Sequence, residues 1–309
     1  MKIIDIQPMC AASTDSIQIG ALMVDDNWIA ETKEDGSRYL MHITDTGNRF
    51  FSRRISVKGG RVEKTDNIPH LRDMKKLDDY SYTVLDGEVK SPTNDFGDTV
   101  SIMGAKPDKA IKRQKEIGKA VFVVFDCLYY RGVNIMDKPL RERRQIAEDV
   151  VAPLFSKYIY FVRNAHSTLE KSELLQTVWD EGGEGIILKN LDAKYVPDGR
   201  DKNTWIKVKR QKDWSVFIVG FTEGKGKYKG LIGAIKFGVY DKGKVVEIGQ
   251  CSGMNDDIRQ ELSRGKEYHM AKVFDVEGQQ VFKHTIRHPR FKGFRHDVDI
   301  KQCTLEKIT

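Results

Sequence analysis

After Lys212 the chain reads as strands in quick succession, and their order limits the fold more than any other feature. The candidates are Trp214 to Thr222, Gly233 to Tyr240, Lys244 to Gly249, Glu267 to Val276 and Gln280 to Arg287. One helical stretch, Asn255 to Arg264, falls between the third and fourth. Five strands with a helix at that point is the order of an OB-fold β-barrel, a common binder of nucleic acid. The first two thirds have another texture. Strands are expected at Asn27 to Thr32, Ser37 to Ile43, Tyr82 to Val89, Ala120 to Leu128, Tyr158 to Arg163, Gly185 to Lys189 and Thr204 to Val208. Helices are expected at Ile68 to Leu77, Pro107 to Lys119, Pro139 to Lys157 and Leu169 to Glu181. Strands joined by hairpins as often as by helices favour α+β with antiparallel sheets over a doubly wound fold. The expected organisation is two domains, 1–211 and 212–309.

Length and composition agree with that division. The 309 residues, 39% hydrophobic and 31% charged, suit a soluble globular chain. No apolar run approaches the ~20 residues that span a bilayer. Met1-Lys2-Ile3-Ile4-Asp5 meets an acid before any signal-like apolar core, so a cytoplasmic location and no membrane partner are expected. Cys10, Cys127, Cys251 and Cys303 are far apart, which argues against a zinc or disulfide framework and for a reducing compartment. The formal charge of +7 favours a polyanionic partner.

The stretch "IAETKEDGSRYL", residues 29–40, sets five charged side chains between apolar flanks. Asp35-Gly36 is a turn signal, with glycine free to take a positive φ. Lys33 thus stands near a buried strand end, with Glu31, Glu34, Asp35 and Arg38 around it.

Lys33-x-Asp35-Gly36-x-Arg38 is followed in order by "FSRR" (Ser52, Arg53), "LDGEV" (Glu88), "FVVFDCL" (Phe125, Asp126), "EGIILK" (Glu184), "TWIKVKR" (Lys207, Lys209) and "IRHPRFKGFRHD". Taken singly, Phe125 reads as strand core and Lys207 with Lys209 as a wet strand face. Their order carries the argument. From "IQPMCAAS" to its end the chain resembles the ATP-dependent DNA ligases of the covalent nucleotidyltransferase superfamily, and its last element looks most like that of the compact bacteriophage enzymes.

The resemblance implies a nucleotidyltransferase domain followed by the OB-fold barrel. It also implies a nick-sealing reaction on duplex DNA through a lysine–AMP intermediate and a 5′-adenylylated DNA, run by a monomer with ATP and Mg²⁺ (Mn²⁺ as a substitute). Lys33 would be the nucleophile. A lysine that attacks phosphorus must shed its proton, although free lysine has a pKa of ~10.4. Burial and the cations Lys207, Lys209 and Arg38 would favour that loss, the carboxylates would oppose it, and the metal ions ATP brings would neutralise those acids. Glu31 would accept from the adenine amino group, Thr32 would border the nucleotide, and Phe125 would stack on the base. Arg38 and Glu88 would hold the ribose, and Arg53 would face phosphate. Glu184, with Glu88, would bind metal. Lys207 and Lys209 would neutralise the α-phosphate and its leaving group. Arg295 and Asp297 would reach pyrophosphate on closure of the barrel.

Departures are visible too. Val298 stands where the family's last element often has lysine, and the 32 residues before Lys33 leave no room for a separate DNA-binding domain. "EGKGKYKGLIG" (Glu223 to Gly233) and "VKGGRVEK" (Val57 to Lys64) are the candidates for extra grip on DNA, against a reading as solvated hairpin tips. The rival functions are an RNA ligase or capping-type nucleotidyltransferase, separated by nucleotide choice, and a non-catalytic OB-type nucleic-acid-binding protein, indifferent to loss of Lys33.

Overall fold

The computed structural model describes residues 3–56, 59–154, 156–210, 212–278, 280–282 and 285–308. Two compact units meet in the chain between Val208 and Lys209. The expected boundary falls just after that point, and its Gln211, like Val57 and Lys58 of the second candidate loop, lies outside the described residues.

In the first unit the strands are β1 (Trp28–Thr32), β2 (Ser37–Thr44), β3 (Gly47–Ile55), β4 (Arg61–Glu63), β5 (Val84–Lys90), β6 (Val121–Tyr130), β7 (Val133–Asn134), β8 (Ile159–Phe161), β9 (Asn164–Ala165), β10 (Gly185–Asn190) and β11 (Trp205–Lys209). They form two sheets. One has the order β11-β10-β1-β9, and the other β4-β3-β2-β5-β6-β7 with β8 added alongside β6. β1 and β2 therefore belong to different sheets, and residues 33–36 are a crossover rather than a hairpin tip. Gly36 is needed there for closeness, not for a positive φ: a Cβ would lie 2.4 Å from the Val89 carbonyl oxygen.

Helices α1 (Ser16–Val24), α2 (Pro69–Arg72), α3 (Phe96–Met103), α4 (Pro107–Ile117), α5 (Leu140–Val151) and α6 (Thr168–Asp180) flank the sheets. Asp15 caps α1, and Ser167 with Glu170 forms a capping box on α6. The helix expected over Ile68 to Leu77 is instead α2 followed by a 3-10 turn over Lys75–Tyr80. Both pieces still bury Ile68, Leu71 and Leu77, whose spacing mimics one longer helix. α5 stops short of Lys157 because Pro153 cannot continue an α-helix, and a 3-10 turn over Ala152–Leu154 follows. The main core lies beneath the larger sheet, around Met41, Phe50, Leu85, Phe122 and Ile159. A second core, with Leu40, Val84, Leu128, Tyr195 and Trp205, joins the two sheets.

The second unit carries β12 (Lys212–Glu223), β13 (Ile232–Asp241), β14 (Lys244–Cys251), α7 (Asp256–Arg264), α8 (Lys266–His269), β15 (Val273–Gly278), β16 (Gln280–Phe282), β17 (Thr285–Arg287) and β18 (Arg290–Phe294). Five strands form an antiparallel sheet, β14-β13-β12-β15-β18. A parallel bridge from Ser252 to Arg290 joins its two ends, which makes it a barrel, with α7 between the third and fourth strands. The fifth strand is β18, not the expected Gln280 to Arg287, which is a separate hairpin of β16 and β17. His288, at φ 54°, and Pro289, which has no N–H, separate that hairpin from β18. Val298 packs against the barrel core, a use for an apolar residue at that position.

His42 on β2 gives the fold an acid sensitivity. It is 5% exposed, edge-on to Phe51, and burial, then the charge of Arg49, pushes its pKa down to about 4. As pH falls the unfolded chain takes the proton first, so stability is lost from about 6.5 down to about 4. The loss is on the order of 3 kcal/mol. Urea unfolding at pH 7 and pH 4.5 should show it, and His42→Phe should flatten the difference.

Candidate active site

The position of Lys33 follows from strand register. β1 pairs with β10 so that Thr32 opposes Ile186, and the Lys33 amide extends the ladder to the Gly185 carbonyl at 2.9 Å. The next residue back along that chain is Glu184, and the Lys33 ammonium forms an ion pair with its carboxylate. Lys33 keeps 22% of its side chain exposed against 7% for Glu184, so the amine is the accessible member. Thr32 donates its amide to Arg163 O at 2.9 Å.

The larger sheet supplies a second wall. Arg38 on β2 lies directly opposite Glu88 on β5. Burial pushes the Glu88 carboxyl up to about 8, restrained by the charges of Lys33 and Arg38. Near neutral pH Glu88 therefore keeps its proton while Glu184 faces the ammonium. Arg38 forms a fork on the buried Asp86, with Nε–Oδ1 at 2.9 Å and Nη2–Oδ2 at 2.5 Å, and donates to Met9 O at 2.5 Å. The Tyr195 hydroxyl donates to Asp86 at 2.8 Å and accepts from the Met9 amide. Arg38 is thus a fixed strut whose guanidinium lies 5.2 Å from the centre of the Phe125 ring.

Phe125 is aimed by a β-bulge. Between β5 and β6, Asp86 pairs with Asp126 and Gly87 with Val124, which leaves Phe125 as the extra residue. Its ring is half-buried, edge-on to Trp205. Lys189 Nζ sits 4.5 Å over the same ring and pairs with Glu31 at 2.5 Å. Arg144 Nε holds the other Glu31 oxygen at 3.1 Å. Glu31 is 1% exposed, so adenine would have to share an oxygen already bonded.

Lys207 on β11 points to the same region. Burial, then the charges of Arg200 and Lys33, lower its pKa below the ordinary lysine value. Arg53 donates to Cys10 Sγ at 3.4 Å. Burial works to raise the Cys10 thiol, but hydrogen bonds from Arg200 and Arg53 and the charge of Arg38 hold it below its usual value. The first unit therefore gathers Lys33, Glu184, Glu88, Arg38, Phe125, Lys207 and Arg53 around one crossover, with Thr32 beside it and Glu31 beneath. A family model, that of the ATP-dependent DNA ligase domain, matches residues 8–209. The chain belongs to this ligase family.

The DNA ligase of Methanocorpusculum labreanum is 30% identical over 91% of this chain and 54% of its own length. The chain thus spans about half the length of the curated relatives it matches. Among solved structures, Pmar-Lig_PreS3 superposes with a TM-score of 0.72 at 25% identity, over 94% of this chain and 68% of that one. A Lig E DNA ligase, described as binding DNA with a minimal scaffold, reaches a TM-score of 0.66 at 20% identity over 95% and 100%. The ligase fold is a nucleotidyltransferase domain followed by an OB-fold domain, and this α+β chain has it.

Three ligase-motif residues, Lys209, Arg295 and Asp297, belong to the second unit, whose boundary cuts β11 just before Lys209. Lys209 ends β11. Arg295 forks onto Asp297 with two bonds of 2.7 Å and reaches Asp275 at 2.8 Å, which drives Asp297 down to about 2. Sequence reasoning passed over Asp86, Lys189, Arg144 and Tyr195. One of these had a signal: Asp86 lies two residues before Glu88, the spacing that puts strand residues on one face, whereas Lys189 meets Glu31 only through the register that sets them diagonally across the ladder.

Proposed function

We propose that this chain is a nick-sealing, ATP-dependent DNA ligase. The observation that carries the reading is the accessible Lys33 amine at the crossover between two sheets, ion-paired to Glu184 and facing the Arg38–Glu88–Phe125 wall. Lys33 gives up a proton that lies against the Glu184 carboxylate, and its nitrogen attacks the α-phosphorus of ATP. An N–P bond forms as the P–O bond to pyrophosphate breaks. AMP then passes to the 5′-phosphate of a nick, and the 3′-hydroxyl displaces it to close the strand.

Within that scheme Phe125 takes the adenine face, steadied by the Arg38 strut and Lys189. Glu31 and Thr32 border the base, and Arg38 with Glu88 the ribose. Arg53, Lys207 and Lys209 meet phosphate charge as it shifts, and Arg295 meets the pyrophosphate. No group of three or more potential metal-ligating side chains occurs among the described residues. Magnesium needs fewer, taking one or two carboxylates beside phosphate oxygens; Glu184, paired with Lys33, would hold it, and Glu88 would join only by giving up the proton that burial keeps on it. When bound, the ion supplies charge neutralisation at the phosphates.

A nicked duplex labelled at its 5′-phosphate, incubated with ATP and Mg²⁺, should be converted to continuous strand with release of AMP and pyrophosphate. GTP in place of ATP should give no product. Labelling by GTP, or an unsealed nick after AMP uptake, would turn the reading toward a capping-type enzyme. Sealing should also fall steeply between low and moderate salt, as expected of a basic chain that grips phosphates.

A further inference from the structure

The loop between β12 and β13 is more ordered than a solvated tip requires. Gly224 and Leu231 close it with a 2.8 Å backbone bond, and internal bonds fold Lys225–Leu231 into tight turns. Gly226 and Gly230 sit at φ 60° and 87°. A Cβ on Gly224 would lie 2.2 Å from the Tyr228 carbonyl oxygen, so the backbone can close only around glycine. Lys225, Lys227 and Lys229 are exposed on this arch.

Beneath it α7 acts as a bracket. Arg259, 4% exposed, places its guanidinium 3.9 Å from the Tyr228 ring centre. Its Nη1 donates to the Ile232 and Gly233 carbonyls at 2.5 and 2.8 Å. Ser263 on the same helix accepts from the Ile232 amide at 3.0 Å. Among the described residues no carboxylate pairs with Arg259, so a buried cation is spent on two carbonyls and a ring. Removing a long cation from water for those partners is costly unless the geometry it fixes is used.

We propose that residues 224–231 form a preset grip on the DNA phosphate backbone and that Arg259 is its positioning residue. The loop joins the first two strands of the barrel, one of the two loops with which OB-folds hold oligonucleotides. It offers three exposed ammonium groups on a backbone already ordered, which favours a polyanion of fixed spacing over a small anion. The inference rests on the DNA-ligase reading and adds the place and means of contact.

Binding of nicked duplex to the full chain, measured without ATP from low to moderate salt, tests it. Each phosphate contact contributes about 0.9 to the slope of log affinity against log salt. Replacing Lys225, Lys227 and Lys229 together by alanine should make that slope shallower by about 2 to 3. Arg259→Leu should weaken binding in the wild-type loop yet add no further loss in the triple-alanine background, with Arg259→Lys restoring part of it. Thermal unfolding of each variant identifies any global loss of fold, and the exposed triple variant decides the matter if Arg259→Leu fails to fold. A triple variant with the wild-type slope would overturn the grip. A further loss from Arg259→Leu in that background would overturn the positioning role. Wild-type protein that binds DNA through the loop but takes up no AMP would leave the grip standing and remove the ligase reading.

Discussion

Wild-type protein incubated with ATP and Mg²⁺ should gain the mass of one adenylyl group, and Lys33→Ala should gain none. The expected loss in strand joining is at least roughly a thousandfold, because removing a nucleophile removes the covalent path rather than weakening a contact. Lys33→Arg separates two roles. Arginine preserves the positive charge facing Glu184, but a guanidinium stays protonated at any working pH and cannot attack phosphorus. If the lysine served only to pair with Glu184, arginine would restore joining. The expectation is that it does not. Supplying a nick already adenylylated at its 5′-phosphate bypasses the missing amine, and joining by Lys33→Ala should then recover to within about tenfold of wild type. Intact mass and gel assays read all three outcomes, and an adduct on Lys33→Ala would sink the assignment.

The proposed nucleophile is legible because its neighbourhood is local. Lys33, Asp35, Gly36 and Arg38 sit within six residues, and the motifs after them lie on strands whose alternation is clear in the sequence. Its partners were less legible, since register decides them. Glu184 meets Lys33 only because Thr32 pairs with Ile186, and a slip of one residue would turn that carboxylate elsewhere. Phe125 is oriented by a bulge that no period-2 pattern shows. Arg38 reads as a ribose contact but is also tied to Asp86, Tyr195 and Met9, three residues far apart in the chain. The barrel's last strand was hidden for another reason. "RFKGF" lies in the middle of the basic motif "IRHPRFKGFRHD", whose charges mask its strand character.

Arg143→Leu should destabilise the first unit by about 3 to 5 kcal/mol, although the residue carries no chemistry in the proposed reaction. Arg143 and Asp126 are each completely buried and bonded as a fork, with Nε–Oδ1 and Nη2–Oδ2 both at 2.9 Å. The spare Arg143 nitrogen donates to the Lys138 and Ala193 carbonyls, and Asp126 accepts from the Cys127 amide. Removing the arginine strands a fully buried carboxylate without its counter-charge, a heavier cost than the loss of the pair itself. Asp126 adjoins Phe125 and pairs with Asp86 across the ladder, so the same change should loosen the bulge that aims the ring. Adding Asp126→Leu removes the stranded charge. The double variant should therefore be less destabilised than the sum of the two single variants, by about 2 kcal/mol or more. Denaturant melts of the four proteins give the coupling directly. Strict additivity would mean that the fork is not what holds this edge of the site.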